Sequence, residues 1–119
     1  GHAQQAAIAA LGCRAGNYHG RFIVVVDEDI NPADLGDVLW AISTRCEPKA
    51  AITVIDGSWS TPLDPAMPPD KRDAGDFTNS RAIINACRPY SWIDRFPPVN
   101  ALSPELRERI SKKWQAVLE

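Results

Sequence analysis

The chain has 119 residues and a formal net charge of −2, from 13 Lys and Arg against 15 Asp and Glu. That length suits one domain able to bury roughly 65% of its unfolded surface without staples. The charge balance shows no basic stripe or basic amphipathic helix, which argues against nucleic-acid and membrane-surface partners. Cys13, Cys46 and Cys87 are odd in number, far apart and without a C-x-x-C pair. They read as reduced, largely packed thiols of a cytoplasmic protein, not as a disulfide framework or zinc site. No apolar stretch approaches about 18 residues and no charged-then-apolar leader is visible, so neither a membrane span nor secretion is expected. Gly1-His2 leads abruptly into an alanine-rich run, as in a tag remnant or a chain cut from something longer.

In chain order, the first element is a helix from Ala3 to about Cys13, with Ala6, Ala7, Ala10 and Leu11 on one face and Gln4 and Gln5 opposite. Small residues on that face allow close packing against a sheet. Residues 14–20, RAGNYHG, break the helix with two glycines and bring together a guanidinium, an amide, a phenol and an imidazole. The segment reads either as an ordinary helix-to-strand connection or as a ligand-facing loop on a rigid scaffold. Phe22, Ile23, Val24, Val25 and Val26 follow as an unbroken apolar run, the pattern of a strand covered on both faces. Three carboxylates, Asp27, Glu28 and Asp29, end it. Asn31 as N-cap and Pro32 as first helical residue predict a helix from Pro32, with Asp34 favourably placed near its N-terminus. Leu35, Val38, Leu39 and Ile42 give that helix an apolar stripe.

Residues 51–55, AITVI, read as a second strand, so a right-handed β-α-β crossover is expected. Residues 56–80 then carry Pro62, Pro65, Pro68 and Pro69 without periodicity, and loops of such length in compact domains are either functional or disordered. Trp59, Leu63 and Met67 argue for a loop folded over a neighbouring surface. Residues 81–87, RAIINAC, predict a third strand, and Pro97-Pro98 marks an irregular arm. Ser103 caps a last helix with Pro104 at its first position and Leu106, Ile110, Trp114 and Val117 along one stripe. The sum is an α/β fold: a single three-layer-like domain, its mostly parallel central sheet flanked by helices and a long Pro-rich loop.

The residues alone supply no self-contained active site. The acidic turn stands where open α/β sheets place ligands, and its oxygens suit Mg2+, as in a receiver-like domain built on Asp27 and Asp29. A solvated face or an arginine-binding cluster explains the same residues. Two histidines, no Gly-rich phosphate loop, and Ser58 and Ser60 outside a strand–elbow–helix context leave few options for catalysis. A free-standing α/β binding module without catalytic activity is therefore one reading.

A second reading comes from resemblance. GHA, CRAG, GRFIVVVDEDI, DVLWAISTRCEP and TPLDP, followed by the closing strand and helix, resemble in order the C-terminal domain of the UbiD family of prenylated-flavin-dependent decarboxylases. The match covers nearly the whole chain, 1–119, and is most specific over VVVDEDINPADLGDVLWAISTRC. Members of that family are longer. Their N-terminal part binds prenylated FMN with Mn2+ or Mg2+ and K+ and supplies the Glu-Arg-Glu catalytic network, so the resemblance implies no catalytic or metal-ligating residue here. It implies a carboxy-lyase acting reversibly on an aromatic, heteroaromatic or α,β-unsaturated acid, with this domain as pocket wall and oligomer interface. Its implied partners are the N-terminal flavin-binding domain and a second copy of the enzyme. By the same resemblance Arg14 lies near the cofactor phosphate, Asn17 and Tyr18 in the loop approaching flavin and substrate, and Thr61 and Leu63 over the substrate pocket. Thr61 stands where relatives carry an aromatic or a histidine, and Asn17 where some carry a tyrosine, which leaves the substrate open.

Overall fold

The apolar run after Arg21 forms a strand, Phe22–Val26 (β1), as its β-branched content dictates. The computed structural model describes residues 1–16, 18 and 20–118. Before β1 lies a helix, His2–Gly12 (α1), which packs through Ala7 and half-buried Ala3, Gln4 and Leu11. Ala6 and Ala10 are exposed, so the packed face is rotated from the one expected.

After β1 the chain does not enter a helix at Pro32. Asn31 Oδ1 accepts from Ala33 N–H at 3.1 Å, and its backbone carbonyl accepts from Asp34 N–H at 3.0 Å. This closed turn delays the helix to Leu35–Arg45 (α2), where Asp34 is the cap and accepts from Gly36 and Asp37 N–H. The later start also turns the helix. Leu35 and Leu39 are exposed, while Val38, Ala41, Ile42 and Arg45 face inward. Ala41 joins Ile30 and Ala86 in a small core, against which Val24, Val26, Val38 and Ile42 pack.

A single turn, Pro48–Ala51 (α3), capped by Glu47, leads into Ile52–Trp59 (β2). A short helix, Pro69–Asp73 (α4), precedes Thr78–Ala86 (β3). The strand order is β1-β3-β2. The expected β-α-β unit joining the first two strands does not form, because β3 takes the place between them. It pairs parallel with β1, Phe22 opposite Ala82, and antiparallel with β2, Ile52 opposite Ile84. Among the described residues the sheet is mixed, with one parallel and one antiparallel pairing, and so differs from the mostly parallel sheet expected. The β2–β3 register shifts between Ile55 and Ser58, where Asp56 and Gly57 stand opposite Ser80. Gly57 has φ +67, a conformation glycine adopts without a Cβ penalty.

After β3 come a 3-10 segment, Tyr90–Arg95, whose Trp92 ring meets that of the following Phe96 at 5.3 Å, and the last helix, Pro104–Leu118 (α5). Ser103 caps α5 as expected, its Oγ accepting from Leu106 N–H at 3.2 Å. Ile110, Trp114 and Val117 on its stripe are exposed. The molecule extends over 64 × 41 × 24 Å, with a radius of gyration of 19.7 Å. A compact chain of this length would have about 13–14 Å.

Candidate functional site

Because β1 and β3 run parallel and β2 runs against them, the loop before β1, the loop after β2 and the start of β3 meet at one end of the sheet. A cleft of about 240 Å³ lies there, lined by Tyr18, Arg21, Ser60, Asp64, Asn79 and Arg81, with Pro65 and Ala66 at its edge. The acidic turn lies at the opposite end, after β1.

Asp64 organises the cleft. Its Oδ1 accepts from Arg21 Nη2 at 2.5 Å and from Ala66 N–H at 3.0 Å. Its Oδ2 accepts from Asn79 Nδ2 at 2.7 Å and from Ser60 Oγ at 3.2 Å. The Ala66 N–H first, then the Asn79 amide, hold the Asp64 carboxyl below the usual aspartate range, and Arg21 acts in the same direction. Asp64 is therefore an ionised acceptor at neutral pH and not a proton donor. Arg81, buried in β3, donates to Trp59 C=O at 2.6 Å and fixes the exit of β2. Arg21 and Arg81 share the cleft with the Asp64 carboxylate, and Tyr18 is half exposed at its mouth.

The Pro-rich loop has a defined local shape. Asp64 N–H donates to Thr61 C=O and Met67 N–H to Asp64 C=O, giving two consecutive turns, and Arg72 Nη2 donates to Asp64 C=O at 3.1 Å. Ser60 and Met67 are buried, whereas Leu63, at the tip of the first turn, is 83% exposed. Thr61 Oγ1 accepts from Leu63 N–H at 3.3 Å, so that hydroxyl serves its own turn.

Of the residues singled out in the sequence, Tyr18 lines the cleft, and Thr61 and Leu63 flank it through their neighbours Ser60 and Asp64. Arg14 is exposed in the turn after α1 and is not among the residues lining the cleft. Asn17 lies outside the described residues. Sequence reasoning missed Arg21, Ser60, Asp64, Asn79 and Arg81. The available signal was Asp64-Pro65, an aspartate before proline that favours a turn with the side chain bonding two residues on.

The acidic turn is an arginine-binding cluster. Arg45, its side chain 1% exposed, donates to Asp29 at 2.7 and 2.9 Å and to Asp27 at 3.0 Å. Asp27 also accepts from Arg88 N–H at 2.8 Å and Nε at 3.1 Å. Arg45, by its hydrogen bonds, holds the Asp29 carboxyl below its usual range. Among the described residues no group of three or more His, Cys, Asp or Glu side chains is placed to hold a metal ion. The thiols divide: Cys13 is exposed, contrary to the packed state expected, while Cys46 and Cys87 are partly buried. Burial, and then Asp27, push the Cys87 thiol up to about 11. No described helix is long and apolar enough to cross a membrane.

The fold is a small mixed α/β domain, and the one carboxylate described in its loop-built cleft is held as an acceptor. Residues 1–86 match the family model of the 3-octaprenyl-4-hydroxybenzoate carboxy-lyase C-terminal domain, and the chain belongs to that family. Solved structures agree. Vanillic acid decarboxylase of Sedimentibacter hydroxybenzoicus in closed form is 27% identical with TM-score 0.71, the match covering 100% of this chain and 24% of that one. The 3,4-dihydroxybenzoic acid decarboxylase of Enterobacter cloacae is 27% identical with TM-score 0.71, over 99% and 23%. The UbiD-class enzyme HmfF of Pelotomaculum thermopropionicum, in complex with FMN, is 27% identical with TM-score 0.69, over 91% and 22%. The chain thus spans about a quarter of the length of these structures.

Proposed function

We propose that this chain serves as the C-terminal wall of the substrate pocket in a longer decarboxylase that acts reversibly on an aromatic, heteroaromatic or α,β-unsaturated carboxylic acid. The observation that carries this reading is the outward Leu63, held on an ordered turn beside an arginine-lined cleft, in a chain of the carboxy-lyase family. At about 240 Å³ the cleft falls below the roughly 300–1,000 Å³ of a complete small-molecule pocket, which fits a wall and not an enclosure. Prenylated FMN, with Mn2+ or Mg2+ and K+ held by the N-terminal part, supplies the electron sink for carbon–carbon cleavage when bound. Tyr18 and Asn17 approach the flavin and acid, Arg14 is exposed to meet the cofactor phosphate, and Thr61 and Leu63 cap the acid.

The same reading accounts for the open surfaces. Ile52 and Val54 on β2 are exposed, and the flavin-binding part covers that side of the sheet, completing three layers. The α5 stripe with Trp114 meets a second copy in a cytoplasmic homo-oligomer. Two experiments test the proposal. The chain by itself, supplied with prenylated FMN, Mn2+, K+ and a panel of cinnamic, benzoic and furoic acids, should release no CO2, and turnover above buffer would refute the wall role. In the full-length protein Leu63→Ala should shift the kcat/KM ratio between a bulky and a small acid by about tenfold or more, as removed methylenes do in apolar pockets. An unchanged ratio removes Leu63 from the pocket.

A further inference from the structure

The Asp64 carboxylate is shared by more of the chain than its turn requires. The Ala66 and Ser60 bonds are local, but the others reach across the chain: Arg21 is 43 residues earlier, and Asn79, 15 residues later, is the second residue of β3. Leu63, mostly exposed, takes its direction from the backbone on either side, and Asp64 is the adjoining residue on one of those sides. Arg21 adjoins the segment that carries Tyr18, and its backbone carbonyl is fixed by Ala82 N–H at 3.0 Å. The Arg21–Asp64 contact therefore ties the Tyr18 loop to the Leu63 turn.

Its two ends differ in burial. The Arg21 side chain is 38% exposed and that of Asp64 is 6% exposed. A partly exposed guanidinium adds little to global stability. Yet the bond is short and links two loops distant in sequence, so its main effect is on where those loops sit.

We infer that Arg21 and Asp64 are positioning residues which set the separation between Tyr18 and Leu63, and through it the width of the acid pocket; this rests on the reading of Leu63 as a pocket wall. Neither residue touches the reacting atoms. The pair acts through the two loops it joins.

The test uses the full-length protein loaded with its flavin, with Arg21→Gln, Arg21→Lys and Leu63→Ala beside the wild type. Arg21→Gln should move the bulky-to-small kcat/KM ratio by about tenfold in the direction of Leu63→Ala, mainly through KM. Its thermal midpoint should stay near that of the wild type, and amide exchange at Leu63 and Ala66 should rise. Arg21→Lys, which keeps the charge, should restore most of the ratio. A shifted ratio in Leu63→Ala with an unmoved one in Arg21→Gln overturns this inference and leaves the wall reading intact. An unmoved ratio in Leu63→Ala sinks both. Failure of Arg21→Gln to fold, or an Arg21→Lys variant as altered as Arg21→Gln, makes the pair structural and also overturns it.

Discussion

Replacing Arg45 with methionine tests the cluster that joins the end of α2 to the end of β1. Methionine keeps an apolar stem in the space but removes the bonds to Asp29 at 2.7 and 2.9 Å and to Asp27 at 3.0 Å. Breaking a buried ion pair costs about 3–5 kcal/mol when the remaining charge is stranded. Here neither carboxylate is fully stranded. Asp27 keeps the Arg88 N–H and Nε, and Asp29, 37% exposed, can recover water. The loss should therefore fall to about 2–3 kcal/mol, counting the charged hydrogen bonds that have no substitute. For a chain of this size that lowers the thermal midpoint by roughly 8–12 °C. Arg88→Met should cost about 1 kcal/mol or less, because the backbone N–H of residue 88 still serves Asp27 and the Arg88 side chain is partly exposed. Urea unfolding followed by tryptophan fluorescence reads both, and Trp40, whose ring lies 5.2 Å from the Arg45 guanidinium, reports the site directly. A loss below about 0.5 kcal/mol for Arg45→Met, the range of ordinary surface changes, would refute the reasoning. So would an Arg88→Met loss that equals it.

Acid should weaken the fold through Asp29 and Asp64, both held below the ordinary aspartate value of 3.8. A carboxyl depressed in the folded state stabilises fully above that value and loses its effect as the pH falls below it, through the folded pKa. Thermal midpoints should thus be level from about pH 7 to about pH 5 and drop below about pH 4, less steeply in Asp29→Asn; an equal slope in the variant would contradict this. Iodoacetamide at about pH 8 should label exposed Cys13 and spare Cys87, whose thiol is pushed up to about 11, and mass analysis showing Cys87 alkylated first would refute the burial argument. Calorimetric titration of Mg2+ should give no saturable site, because Arg45 and Arg88 already occupy the Asp27 and Asp29 oxygens; a site abolished by Asp27→Asn would revive the Mg2+ reading.

Local signals were legible in the sequence where their physics is local. The run 22–26 became β1, and Ser103-Pro104 opened α5, because side-chain branching and capping act within a few residues. The helix start was misplaced for an equally local reason: Asn31 and Asp34 both offer cap oxygens, and Asn31 spends its own on a turn to Ala33. Strand order was not legible. The place of β3 between β1 and β2 depends on pairings between distant segments, which no short window contains. Of the residues that line the cleft, the resemblance had named Tyr18 alone, with Thr61 and Leu63 beside it, while Arg21 and Asn79 acquire meaning only when Asp64 comes between them.

The shifted register of β2 bears on how this chain can change length. Within β2 the partly buried residues are Ile55 and Ser58, and Ser60 just beyond it is buried, so the more buried positions pass from odd to even numbers where Asp56 and Gly57 together oppose Ser80. A strand counts residues in twos. Deleting Gly57 alone would restore the uninterrupted count with Ser58 still opposite Asn79, so Trp59 would stay outward and the Ser60 hydroxyl would stay with Asp64. Deleting Asp56 and Gly57 together would put Ser58 directly after Ile55, invert the parity from there on, turn Trp59 inward and carry the Ser60 hydroxyl away from Asp64. An engineered double deletion of Asp56 and Gly57 should therefore disturb the cleft more than deletion of Gly57 alone.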